Sequence, residues 1–170
     1  MERETFAERV RNMQDRLYRI ASGQLRVPQD REDAVQEAIL KAWRMREALR
    51  HDEYFETWLI RILINECHNL QRAGRRMVPV EQIPEPKPGD RSGQAEDLKE
   101  AIWALDEKLR TPVVLHYIEG YGTKEVAQIL RLPHGTVCSR LKRARTALKE
   151  FLEEDEKKGR GDSHEEGSMA

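Results

Sequence analysis

The sequence predicts an all-α protein: two small helical domains joined by a flexible, Pro-rich linker and followed by a charged tail. Three observations predict it. Apolar residues recur at three- and four-residue spacing through most of the chain, as in helices that bury one face. Four prolines, Pro79, Pro84, Pro86 and Pro88, fall between Met77 and Ala95, where no helix persists. Of 170 residues, 36% are charged and 38% hydrophobic, with only three Phe, four Tyr and three Trp. Each core is therefore small and relies on Leu, Ile, Val and Ala from amphipathic helices. The expected boundaries are 1–76 for the first domain, 77–95 for the linker, 96–153 for the second domain and 154–170 for a disordered acidic tail.

Phe6, Val10, Met13, Leu17 and Ala21 predict a first helix ending near Gly23. Val27 and Pro28 interrupt it. Asp30 and Asp33 stand where an N-cap and first turn favour carboxylates, opening a second helix that buries Ala34, Val35, Ala38, Ile39, Ala42 and Trp43. A polar connection spans 48–53. From Phe55, the pattern Trp58, Leu59, Ile62, Leu63, Cys67 and Leu70 predicts a long third helix running out in Arg72, Arg75 and Arg76 around Gly74. Beyond the linker, Leu98, Ala101, Ile102, Leu105 and Leu109 predict a helix that turns at Thr111 and Pro112 and continues from Val113 to Ile118. After Gly120 and Gly122, Val126, Ala127, Ile129 and Leu130 stripe a short helix. Leu132 and Pro133 break it, and Val137, Leu141, Ala144 and Leu148 stripe another. From about Asp155 the chain is charged and poor in apolar residues, which predicts disorder.

The last two helices are where function becomes legible. Two short helices around a tight turn, with the second one basic, form the pattern of a DNA-reading helix-turn-helix. Arg140, Lys142, Arg143, Arg145 and Lys149 follow His134 with no acid among them, so the solvent side of the second helix presents positive charge to a phosphate backbone. The formal net charge of -1 conceals this. Residues 150–170 hold eight acids against three basic residues, which is -5, leaving +4 for residues 1–149. Cys67 and Cys138 lie far apart without metal-ligand spacing, so neither a disulfide framework nor a zinc site is expected. No apolar run approaches the roughly 20 residues that span a bilayer, and residues 1–13 are amphipathic and charged, which together imply a soluble cytoplasmic protein with no membrane insertion. No P-loop, Gly-rich phosphate turn, HExxH or nucleophile elbow occurs, so no catalytic residues, cofactor or metal are expected and the protein is read as a non-enzyme.

Three blocks make the chain resemble the extracytoplasmic-function (group 4) sigma factors of bacterial RNA polymerase, in the sigma-70 family, over roughly residues 6–152. The first is DAVQEAILKAW, 33–43, similar to that family's polymerase-docking helix. Asp33, Gln36 and Glu37 stand at i, i+3 and i+4 on one strip, suited to charge-assisted hydrogen bonds from arginines of a partner helix, which the resemblance assigns to the polymerase clamp. The second block, FETWLIRILINECHNLQRAGRR, 55–76, resembles the promoter-melting helix that reads the minus-10 element. The resemblance implies a base-capturing pocket near residues 48–57 and a base contact at Asn65. Arg61, Arg72, Arg75 and Arg76 are candidate phosphate contacts, and Phe55 and Trp58 are candidate walls that also keep the register of a core. The third block, PHGTVCSRLKRAR, resembles the minus-35-reading motif. It places His134, Thr136, Cys138, Ser139, Arg140, Lys142 and Arg143 toward DNA, with Val137 and Leu141 packed inward. Two positions depart from the family pattern: Cys138 stands where Lys or Arg is usual, and Arg131 where the turn commonly has Gly. A left-handed non-Gly residue or a different turn geometry must follow.

The resemblance implies region 2, a bundle of three or four helices, joined to region 4, the helix-turn-helix. It also implies binding to core RNA polymerase and promoter DNA and control by an anti-sigma factor. The competing reading is a conventional helix-turn-helix regulator that needs no polymerase contact, with residues 1–76 sensing a signal or dimerising.

Overall fold

The computed structural model describes residues 1–77 and 93–162, and these are helical with no strand among them. The linker expected at 77–95 lies largely outside the described residues, as do positions 163–170. The first domain comprises α1 (Arg3–Ser22), α2 (Pro28–Arg44) and α3 (Phe55–Met77); the second comprises α4 (Gly93–Ala104), α5 (Glu107–Val113), α6 (Thr123–Leu130) and α7 (His134–Asp162). Helix α3 touches α1, α2 and α6. A helix covered from three sides needs a wide apolar face, so Leu59, Ile60, Leu63, Ile64 and Cys67 are all buried while Trp58 and Ile62 are half-buried. In the second domain α7 runs across α4, α5 and α6, burying Val137, Leu141 and Ala144 against Val126 and Ile129.

The fold departs from the sequence-based expectation in four places. Helix α2 begins at Pro28 with Val27 as its N-cap, not at Asp30, because proline at the first helical position has its φ pre-set and lacks an N–H that would go unbonded there. The turn expected at Thr111 and Pro112 falls instead at Asp106, whose carbonyl accepts from the N–H groups of Leu109 (2.8 Å) and Arg110 (2.9 Å), and Pro112 lies inside α5. Helix α5 then widens into a single π-turn over Val114–Ile118, with Glu119 N–H donating to Val114 O at 3.0 Å. The tail expected to be disordered from Asp155 continues α7 as far as Asp162, where Glu153 with Lys157 and Glu154 with Lys158 stand at the i, i+4 spacing that supports an exposed helix.

Between α6 and α7, Arg131 adopts φ 53° and ψ 48°, so this turn keeps its left-handed geometry without glycine. That conformation costs an L-residue about 1 kcal/mol, and Leu132 N–H donating to Ala127 O at 3.0 Å helps hold it.

The two domains pack against each other through a seam rich in polar groups. Arg110 Nε donates to Gly23 O at 3.0 Å, and Thr111 Oγ1 donates to Gln24 Oε1 at 3.0 Å. Trp103 is flanked by the guanidinium groups of Arg26 and Arg110, each 4.5 Å from its ring centroid. Arg19 grips Glu119 through two bonds of 2.9 and 3.1 Å, while Arg16, Glu56 and the Tyr121 hydroxyl form a mutually bonded cluster. Burial, and then the bond to Glu56, pushes the Tyr121 phenol above its usual range, so it remains a neutral donor.

Candidate polymerase and nucleic-acid surfaces

On α2 the buried residues are Ala34, Ala38 and Ala42, and their small size draws α2 close to α3. Beside them, along the edge of α2 that borders α3, stand exposed Asp33 and Gln36 and half-exposed Glu37. Together with Leu40, Glu66 and Leu70 they line a groove of about 320 Å³. Glu66 is itself held by Lys41, whose Nζ lies 2.5 Å from Glu66 Oε1. Sequence reasoning found the acidic strip but missed its apolar companion. Leu40 is 48% exposed, off the register of the α2 core, and that off-register position was the available signal. A partner helix carrying arginines and an apolar residue would find both complements in this groove.

The candidate minus-10 residues divide into four groups. Asn65 and Arg72 are exposed and available. Phe55 is corrected: only 3% exposed, it packs edge-on against Phe6 with ring centroids 5.6 Å apart, so it anchors the core and has no face free for a base. Trp58 is half-buried against that core, 6.2 Å from the Phe55 ring. Arg61 is occupied, with Nη2 donating to Gln128 O at 2.7 Å and Nε to Ile129 O at 3.3 Å, at the C-terminal end of α6 where carbonyls lack helical partners. Burial, and then neighbouring Arg131, lowers its pKa. The side chains of Arg75 and Arg76 lie outside the described residues. The connection before α3 contains two short 3-10 turns, Arg46–Ala48 and Asp52–Tyr54, which leave Tyr54 half-exposed beside His51. Tyr54 is an aromatic face that lies outside the apolar register of α3.

In the helix-turn-helix, His134, Cys138, Ser139, Lys142 and Arg143 are exposed along one side of α7, and Thr136 is half-buried. Arg140 is turned away from them. It is half-buried in the wall of a cavity of about 420 Å³ that His68, Glu107, Lys108 and Leu130 also line, between the two domains. Helix α6 is fixed at its start by Gly122 N–H donating to Glu125 Oε2 at 2.8 Å. From that start Thr123 reaches across the turn, with Oγ1 2.7 Å from His134 Nε2. Arg145 donates to the Tyr117 hydroxyl at 2.7 Å, bracing α7 against the π-turn.

No group of three potential metal ligands occurs among the described residues. The Cys67 thiol is pushed up to about 12 by burial and then by Glu66, which leaves it an unreactive core group. No helix among the described residues is long and apolar enough to cross a membrane.

Residues 9–77 match the family described as Sigma-70 region 2, and residues 95–148 match Sigma-70, region 4. The RNA polymerase sigma-E factor of Streptomyces antibioticus is 35% identical over 152 residues, covering 87% of this chain and 84% of that protein. The ECF RNA polymerase sigma factor SigM of Mycobacterium tuberculosis is 33% identical over 156 residues, with 89% and 79% covered. Among solved structures, the sigma factor RpoE in complex with the anti-sigma factor NepR from Bartonella quintana aligns with a TM-score of 0.74 at 26% identity, over 88% of this chain and 98% of that one. CnrH in complex with the cytosolic domain of CnrY aligns with a TM-score of 0.72 at 25% identity, over 91% of each chain.

Proposed function

Because the chain belongs to the ECF RNA polymerase sigma factors of the sigma-70 family, we propose that its first domain docks on core RNA polymerase through Asp33, Gln36 and Glu37 while its second domain reads promoter DNA. The protein is a sigma factor: it directs RNA polymerase to promoters and starts transcription there. The polymerase performs the chemistry, and this chain contributes binding energy and selectivity. Acting with core polymerase, it works in the cytoplasm.

One observation carries the division of labour. An acidic strip beside an exposed leucine sits on one domain, and a cationic helix-turn-helix sits on the other. The strip suits a basic, partly apolar protein helix. The α7 surface suits the anionic major groove, read as duplex at minus-35. Asn65, Arg72, Arg75 and Arg76, with the half-exposed Trp58, remain the proposed minus-10 surface, where a flipped base is trapped to begin melting. Arg61 joins that surface only when the domains part, since its guanidinium is otherwise bonded to α6 carbonyls. A sequestering protein partner, of the kind that NepR is for RpoE, completes the reading.

The test is transcription in vitro from a promoter library with core polymerase and this chain as the only initiation factor. Start sites sharing two motifs about two helical turns apart are expected. Retained DNA binding without specific starts or a complex with core enzyme would favour the conventional regulator. In the same assay Arg143→Ala is expected to relax one minus-35 base position by roughly fivefold or more, or, if Arg143 meets phosphate, to weaken binding uniformly and lower the salt slope by about one. Unchanged affinity and motif would remove Arg143 from the surface.

A further inference from the structure

Resting on the minus-35 reading above, we propose that Thr123 is a positioning residue that fixes the tautomer of His134, making the imidazole a directional donor to a base acceptor in the minus-35 element. The two residues belong to different helices, with Thr123 opening α6 and His134 opening α7, and the left-handed turn at Arg131 brings their starts together. Thr123 Oγ1 lies 2.7 Å from His134 Nε2, and Cys138 Sγ, one turn further along α7, lies 3.6 Å from the same nitrogen.

That nitrogen has room for a lone pair or a proton, not both. The threonine hydroxyl and the cysteine thiol each carry a hydrogen to give. A bare Nε2 accepts from both neighbours, whereas an Nε2–H satisfies at most one of them. The arrangement therefore selects the neutral ring protonated at Nδ1. Nδ1 has no partner among the described residues, and His134 is exposed at the end of the recognition helix that approaches base edges. If the ring gains a second proton, Nδ1 still carries its own. DNA thus meets an N–H at this point in either charge state.

A fixed donor selects bases in a way that a hydroxyl does not. Thr136 and Ser139 lie nearby, but a hydroxyl rotates to donate or accept and so discriminates weakly. Cys138 brings neither charge nor a strong donor. In the major groove, guanine, adenine and thymine each offer an acceptor, whereas cytosine offers the N4 amine, a donor. The pinned His134 should therefore favour an acceptor-bearing base and disfavour cytosine at one position.

The tautomer of His134 is directly measurable. Nitrogen-15 NMR of the full-length chain, with His134→Gln identifying the resonance among five histidines, is expected to show Nδ1–H in the wild type and in Thr123→Ser, and a shift toward Nε2–H in Thr123→Val. Promoter-library transcription with the same variants is expected to show Thr123→Val losing on the order of three- to tenfold discrimination against cytosine at one minus-35 position, with Thr123→Ser restoring it. Wild-type base preferences retained at every position in Thr123→Val, or an Nε2–H ring in the wild type, would overturn the proposal. So would a uniform loss of affinity with preferences intact, which marks a phosphate contact. A wild type with a minus-10 motif but no minus-35 preference would instead bring down the underlying reading, an outcome distinct from a wild-type motif that Thr123→Val leaves unchanged.

Discussion

Glu37→Lys is expected to abolish holoenzyme assembly, lowering affinity for core RNA polymerase at least about 100-fold, because like charges brought together across an interface cost several kcal/mol and each ~1.4 kcal/mol is a factor of ten. Glu37 stands on the wall of the α2–α3 groove, midway between Asp33 and Leu40, where a docking helix would place its cations. The change leaves the fold intact. Glu37 has no ion-pair partner among the described residues, and it is half-exposed, while the fully buried Ala34, Ala38 and Ala42 hold α2 against the core. Binding of the full-length variant to minus-35 duplex should therefore match the wild type and serves as the folding control. Co-migration with core polymerase in gel filtration, together with a titrated affinity, supplies the measurement. Assembly at wild-type affinity would show that the strip is ordinary solvated surface. Leu40→Ala tests the apolar half of the same groove and should weaken docking by a smaller factor, consistent with loss of a partly buried side chain.

Gly23→Leu is expected to part the two domains. A Cβ at this position would lie 2.8 Å from Val114 Cγ2, closer than packed Cβ atoms approach, and a tight 3.2 Å from its Cγ1. The backbone itself raises no objection, since Gly23 has φ -79° and ψ -8°, an ordinary right-handed conformation. The clash falls wholly between domains, with Gly23 on the α1–α2 connection and Val114 in the π-turn of the second domain. Overpacking of this kind costs about 1–3 kcal/mol, which moves the closed-to-open ratio by roughly 5- to 150-fold. Opening also releases Arg61 from the Gln128 and Ile129 carbonyls. Two readouts follow: a larger radius of gyration in small-angle scattering, and tighter binding to single-stranded minus-10 DNA. The second gain should vanish in a Gly23→Leu, Arg61→Ala double variant if the freed guanidinium is its source. An unaltered scattering profile would mean that Val114 yields in place and the seam stays shut.

Much of this protein was legible in its apolar spacing. The stripes of α1, α2, α3, α6 and α7 foretold each helix because burial of one face leaves a 3.6-residue signature that nothing else in the chain imitates. The misplaced turn at Thr111 and Pro112 has a plain cause. A proline more often interrupts a helix than sits inside one, yet Pro112 is buried within α5, which packs against α7. Ile60 and Ile64 escaped the stripe on α3 because their burial depends on a helix with three neighbours, which a single amphipathic period does not encode.

The candidate surfaces were legible to different depths. The acidic strip on α2 and the exposed cations of α7 were visible because helix geometry alone fixes which residues share a face. Phe55 and Arg61 were harder, since a ring or guanidinium on the edge of an apolar stripe has the same pattern whether it meets a core, another domain or DNA. Arg140 shows the same ambiguity, as its neighbours along α7 face solvent while it borders the cavity between domains.

By itself, the sequence determined the all-α class, the order of the helices, the two-part organisation and the family, all of which rest on local periodicity and on motifs written contiguously along the chain. Tertiary structure alone decided how the domains meet. It brought Arg16 to Tyr121, Gly23 to Val114, Arg61 to the end of α6 and Thr123 to His134. These pairings carry no periodic signal. Polar contacts between residues far apart in the chain, or across a turn, depend on where whole helices come to rest, and hydrogen bonding at such sites is satisfied only after packing has chosen the partners.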